Sequence, residues 1–99
     1  MSYSLEFHPE ALAELECVTG DYEAKQPELG VRFREVVEKT CRTIVENPHL
    51  WRERAMGYRR VNLPGFSYFI SFMLDGDRIL VIAVPHSSRK PNYWANRIP

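Results

Sequence analysis

The spacing of apolar and polar positions changes twice along this chain. Ser2–Phe7 alternates, with Tyr3, Leu5 and Phe7 on one side, and predicts a strand with one buried face. The interval then lengthens: Ala11, Leu15, Val18 and Tyr22 recur at helical steps, with Leu12 beside them. His8-Pro9-Glu10 opens this helix. A proline at the first helical position gives up only an amide that would be unpaired there, and Glu10 suits the positive helix end. Gly20 weakens the middle, and Lys25-Gln26-Pro27 breaks the pattern. A second helix carries the strongest signal. Phe33, Val36, Val37, Thr40, Cys41, Ile44 and Val45 form one face, opposite Arg34, Glu35, Glu38, Lys39, Arg42 and Glu46. Asn47-Pro48 ends it, because the residue before proline is pushed out of the helical region. The short connection predicts an antiparallel helical hairpin.

From Tyr58 the period falls to that of strands. GYRRVNL sets Val61 and Leu63 on one face and Arg60 and Asn62 on the other. After the Pro64-Gly65 turn, FSYFISFML is apolar on both faces and belongs in the centre of a sheet. Asp75-Gly76-Asp77 is a tight hairpin turn, and RILVIAV is a second central strand. Pro85 has no amide to donate, so that strand must end or bulge there. The order strand, helix, helix, strand, strand, strand predicts an α+β fold in one domain, residues 1–99. An N-terminal strand and a three-stranded antiparallel meander form one sheet, covered on one side by the helical hairpin.

Charge adds a division that the neutral total hides. Residues 1–50 hold five Lys and Arg against ten Asp and Glu, a net −5; residues 51–99 hold eight against three, a net +5. Such a dipolar domain can steer an anionic partner to one face. No apolar run approaches the ~18 residues of a membrane span, and the start lacks a basic-then-apolar leader, so a cytoplasmic protein without membrane contact is expected. Cys17 and Cys41 both fall in helical patterns without Cys-x-x-Cys spacing and are expected as core thiols in a reducing compartment. His8, His49 and His86 are too far apart in sequence to suggest a metal cluster, and no cofactor is expected.

The segment Val84–Arg97, VPHSSRKPNYWANR, follows the most apolar run with three cations, two large aromatics and a histidine. It reads as a cap over the sheet and as a contact surface for something anionic. Together with Ala11-x-x-Glu14-Leu15, the helix end at Asn47-Pro48, Gly57-x-Arg59-Arg60, the Gly76-Asp77 turn and Ile79-Leu80-Val81-Ile82, its His86-x-x-Arg89-Lys90-Pro91-x-x-Trp94 pattern resembles the RelE/ParE family of toxins from bacterial type II toxin–antitoxin systems. The likeness covers nearly the whole chain and is strongest to the ParE-like branch. It implies a cognate antitoxin that holds the toxin inactive in a hetero-oligomer, as in plasmid stabilization systems. It also implies one of two targets: DNA gyrase for a ParE-like toxin, or messenger RNA on the ribosome for a RelE-like ribonuclease. A non-toxic, antitoxin-binding member is a third reading.

Metal-free RNA cleavage needs cations on the phosphate, a base for the 2′-hydroxyl and an acid for the leaving oxygen. The ribonuclease candidates are Arg60, His86, Arg89 and Tyr93, with His86 able to exchange a proton near neutrality. The cluster is thin, because Asn62, Ser67, Phe69 and Ser71 stand where that pattern would place further cations. The target-contact candidates are Arg59, Arg60, Arg89, Lys90, Trp94 and Arg97, set as a basic rim with His86. Trp94 is expected chiefly to pin the tail, and Tyr93 to face solvent.

Overall fold

The computed structural model describes residues 2–98. Strand β1, Ser4–Phe7, leads into helix α1, Pro9–Lys25, and then α2, Leu29–Glu46. His8 caps α1: its Nδ1 accepts the Glu10 amide at 3.1 Å, ahead of Pro9 in the first turn. The start of α2 is capped from the neighbouring helix. Glu28 sits in the left-handed region, φ 72°, without a side-chain cap of its own. Glu23 of α1 instead accepts the Glu28 amide at 2.9 Å and the Gly30 amide at 3.0 Å, satisfying two of the donors that a helix start leaves open. Gly30 allows this approach, since a Cβ there would lie 2.5 Å from the Thr19 carbonyl oxygen.

Short 3-10 turns at Pro48–Leu50 and Ala55–Gly57 lead to strands β2, Arg59–Asn62, β3, Phe69–Asp75, and β4, Arg78–Ala83; a final 3-10 segment spans Pro91–Arg97. β2, β3 and β4 form the expected antiparallel meander. β1 joins β4 in parallel, so the order across the sheet is β1-β4-β3-β2. The strands are shorter than their apolar runs at the β2 end, where Pro64–Ser67 forms a broad turn.

A register shift beside Ser71 gives β4 one extra residue: Phe72 pairs with Val81, but Ser71 pairs with Ala83. Such a bulge reverses the parity of the remaining strand positions. Val81 and Val84 both enter the core under the helices, while Ile82 and Ala83 belong to the core on the opposite face.

The sheet is therefore buried on both sides. Under the helices pack Ala11, Leu15, Val18, Phe33, Val37 and Ile44 against Val61, Leu63, Ile70, Phe72, Ile79 and Val81. On the other face, Tyr58, Phe69, Ile82 and Ala83 are covered by Trp94. Two expectations about α1 and α2 need correction. Cys17 is exposed, because it projects from the side of α1 away from Ala11, Leu15 and Val18, and Leu12 is 42% exposed at the margin of that stripe. Cys41 is half-buried, and the loss of water around it pushes its thiol up to about 11.

Candidate interaction site

The tail-covered face of the sheet builds a ridge in which a cation closes each end of a row of rings. Asn62 pairs with Phe69 and Arg60 with Ser71, so these four side chains share that face. The Arg60 guanidinium lies 3.8 Å from the Phe69 ring centroid, a close cation–π stack, and Arg60 Nε donates to Asn62 Oδ1 at 3.3 Å. Phe69 meets Trp94 edge-on at 6.0 Å, Trp94 meets Tyr93 at 5.1 Å, and the Arg89 guanidinium lies 4.3 Å over Tyr93. Arg60 and Arg89 thus stand at two ends of one aromatic row. Arg89 and Lys90 are exposed and Arg60 is half-buried. No carboxylate among the described residues lies within ion-pair distance of any of the three.

Other expected contact residues are occupied internally. Trp94 is fully buried against Tyr58 and Phe69, so it pins the tail and presents nothing to a partner in this structure. Arg59 donates to the Trp51 carbonyl at 2.6 Å and lies 3.8 Å from Glu53, with only 13% of its side chain exposed. Arg97 donates to the Ile82 carbonyl at 3.1 Å, pairs with Glu14 at 2.9 Å, and brings Nε to 2.8 Å from Glu10, close enough for charge attraction although not aligned as a hydrogen bond.

The bulge explains why Arg97 and Glu14 sit there. β1 pairs with β4 only as far as Phe7 opposite Val81, and then turns away into α1. Beyond that point, among the described residues, no strand flanks β4 on the side away from β3. Arg97 takes the Ile82 carbonyl and Glu14 Oε1 accepts the Val84 amide at 2.9 Å, so two side chains replace the missing strand. Burial, and the nearby Glu14 carboxylate after it, push the Tyr93 phenol up to about 12. Tyr93 is accordingly half-buried, not turned to solvent. Glu14 is the residue that sequence reasoning passed over. Its place in the Ala11-x-x-Glu14-Leu15 motif was the available sign.

His86 lies elsewhere. It bridges to Tyr68 in the sheet and packs against that ring at 5.1 Å, and Tyr68 belongs with Tyr22 and Phe33 on the helix-covered face. The Ser88 amide donates to His86 Nδ1 at 3.1 Å, and Ser88 Oγ lies 2.8 Å from the same nitrogen. In the neutral ring this arrangement leaves the proton on Nε2. Arg60, Arg89 and Tyr93 therefore share one face, while His86 sits on the other.

A family model described as "ParE toxin of type II toxin-antitoxin system, parDE" matches residues 5–91. The chain belongs to the ParE toxin family. No curated protein matches its sequence. Among solved structures, the fold is similar to a chain of the chromosomal ParDE toxin–antitoxin system from P. aeruginosa, with TM-score 0.75 and 17% identity over 85% of this chain and 95% of that one. It is also similar to a mutant of the E. coli toxin RelE in the free state, with TM-score 0.71 and 20% identity over 99% of this chain and 95% of that one. At these identities the likeness is one of fold. Among the described residues, no helix is long and apolar enough to cross a membrane.

Proposed function

We propose that this ParE-family chain is the toxin of a type II pair, that a cognate antitoxin neutralises it in a hetero-oligomer, and that it acts by binding DNA gyrase in the cytoplasm without cleaving a bond itself. The observation that favours a binding toxin over a ribonuclease is the separation of His86 from the other three acid–base and phosphate-holding candidates, Arg60, Arg89 and Tyr93, by the thickness of the sheet. His86 faces the helix side, and burial with the nearby Glu14 carboxylate pushes the Tyr93 phenol up to about 12, far from the neutral range useful for proton transfer. Arg60 and Arg89 are left as two cations at opposite ends of a row of rings. That is a contact surface for a protein or for the DNA it holds, with Arg89 and Lys90 exposed at one end and the half-buried Arg60 at the other. Purified toxin is expected to trap gyrase in cleaved-DNA complexes and to leave ribosomes reading messenger RNA normally. Normal supercoiling at excess toxin, with codon-phased cuts in a toe-print of ribosome-bound messenger RNA, would reverse the assignment. Growth arrest on expression, relieved by the antitoxin, separates a toxin from an inert binding subunit.

A further inference from the structure

His86 and Tyr68, which the contact ridge leaves out, line a cleft of their own. It holds about 430 Å³ between the last turns of α1 and the segments that enter β3 and leave β4.

The charged lining of this cleft is one anion and one cation, Asp21 and Lys25. Both are exposed and stand four residues apart on α1, a spacing at which opposite charges usually pair. Among the described residues neither makes an ion pair. Lys25 instead stands over the Tyr22 ring, with Nζ 5.7 Å from the centroid. Uncharged donors surround this open pair. Burial, and then the neighbouring Tyr22 and Asp21, raise the Tyr68 phenol above its ordinary value, so it keeps its proton and can donate. His86 keeps a donor as well, because Ser88 occupies Nδ1 and leaves the ring proton on Nε2.

We propose that this cleft binds a small zwitterion, an α-amino acid with an apolar side chain, whose ammonium meets Asp21 and whose carboxylate meets Lys25. Three features select that ligand. The two fixed charges sum to zero, so a zwitterion is matched at both ends, whereas a dianionic phosphate would meet one cation and be repelled by Asp21. The hydroxyl of Tyr68 and the Nε2–H of His86 add donors that suit a carboxylate. The Tyr22 ring, with Val18 and Ala24, gives the ligand side chain an apolar wall, and the volume is that of a small-molecule site. The proposal stands whether or not gyrase is the target.

The test titrates the isotope-labelled full chain with L-phenylalanine, N-acetyl-L-phenylalanine, L-phenylalaninamide and adenosine monophosphate. The free amino acid is expected to shift the Asp21, Lys25 and Tyr68 amides and the His86 ring saturably. Each blocked derivative lacks one of the two charges, and its affinity should fall about tenfold or more, a comparison that needs no variant to fold. Asp21→Asn should lose a similar factor, and Lys25→Arg should keep binding that Lys25→Gln loses. Equal binding of either blocked derivative, shifts centred on Arg60 or Arg89, tighter occupation of the cleft by adenosine monophosphate, or the lack of any saturable shift would each overturn the proposal.

Discussion

The two faces of the sheet are buried by different means. The helix-covered face is filled by side chains from two regular helices at helical spacing, and the fully buried Phe33 meets Tyr22, Phe66 and Tyr68 ring to ring. The tail-covered face depends on one large side chain, Trp94, and on a charged tie from Glu10 and Glu14 to Arg97. One side is redundant and apolar; the other hangs on few residues and on polar contacts. Where cover comes from a single anchor, the surface beside it keeps its cations, and the contact ridge lies there.

Single substitutions on each face put this contrast at risk. Phe33→Ala should cost about 3–5 kcal/mol in chemical denaturation and loosen the whole chain, since it empties the redundant core. Trp94→Ala should cost about 3 kcal/mol, and hydrogen exchange should show the loss confined to the tail and the Phe69 face. If Trp94→Ala instead unfolds the helical hairpin as readily as Phe33→Ala, the two faces are one cooperative unit and the contrast fails. Glu14→Ala strips the Val84 amide of its acceptor and Arg97 of one of its two carboxylates, and should cost about 1–3 kcal/mol, again with increased exchange in the tail and in β4 beyond Val81.

Alkaline pH should weaken the two faces one after the other. Burial raises the folded pKa of Cys41 from 9.0 to about 11, on the helix side, and that of Tyr93 from 10.0 to about 12, on the tail side. In both cases the folded state holds its proton more tightly than the unfolded chain. Each contribution is fully present below the lower value and is lost as pH rises through the higher one. Cys41→Ala should remove the component between about 9 and 11, and Tyr93→Phe the component between about 10 and 12, in pH-dependent melting. The smallest effect is expected for Ser71→Ala. Its hydroxyl is buried without a partner, so the change should stay within about 1 kcal/mol and go toward greater stability.

Much of this architecture could be read from residue order. The helical stripe from Phe33 to Val45, the stop at Asn47-Pro48, and the inward Val61 and Leu63 all follow from local periods that tertiary contacts reinforce. The parallel pairing of β1 with β4 could not be read, because Ser4 and Arg78 are brought together only by the completed sheet. The bulge left no sign either: in ILVIAV every position is apolar, so a change of parity at Ile82 is silent. The same limit governs the site. Arg59, Arg60, Arg89 and Arg97 look alike in sequence, and they differ only in whether a carboxylate or carbonyl lies within reach in the fold. Arg97 finds Glu10, Glu14 and Ile82; Arg60 finds only a ring and an amide side chain.

The substitution of two side chains for a strand beside Ile82 and Val84 ties distant parts of the chain together, because Glu14 of the first helix and Arg97 of the last 3-10 segment meet at 2.9 Å on that flank. A strand would hold the flank through a continuous ladder, whereas here each of the two backbone groups depends on a single side chain. Loss of either side chain would leave a backbone group of β4 open to any other polypeptide able to hydrogen-bond it.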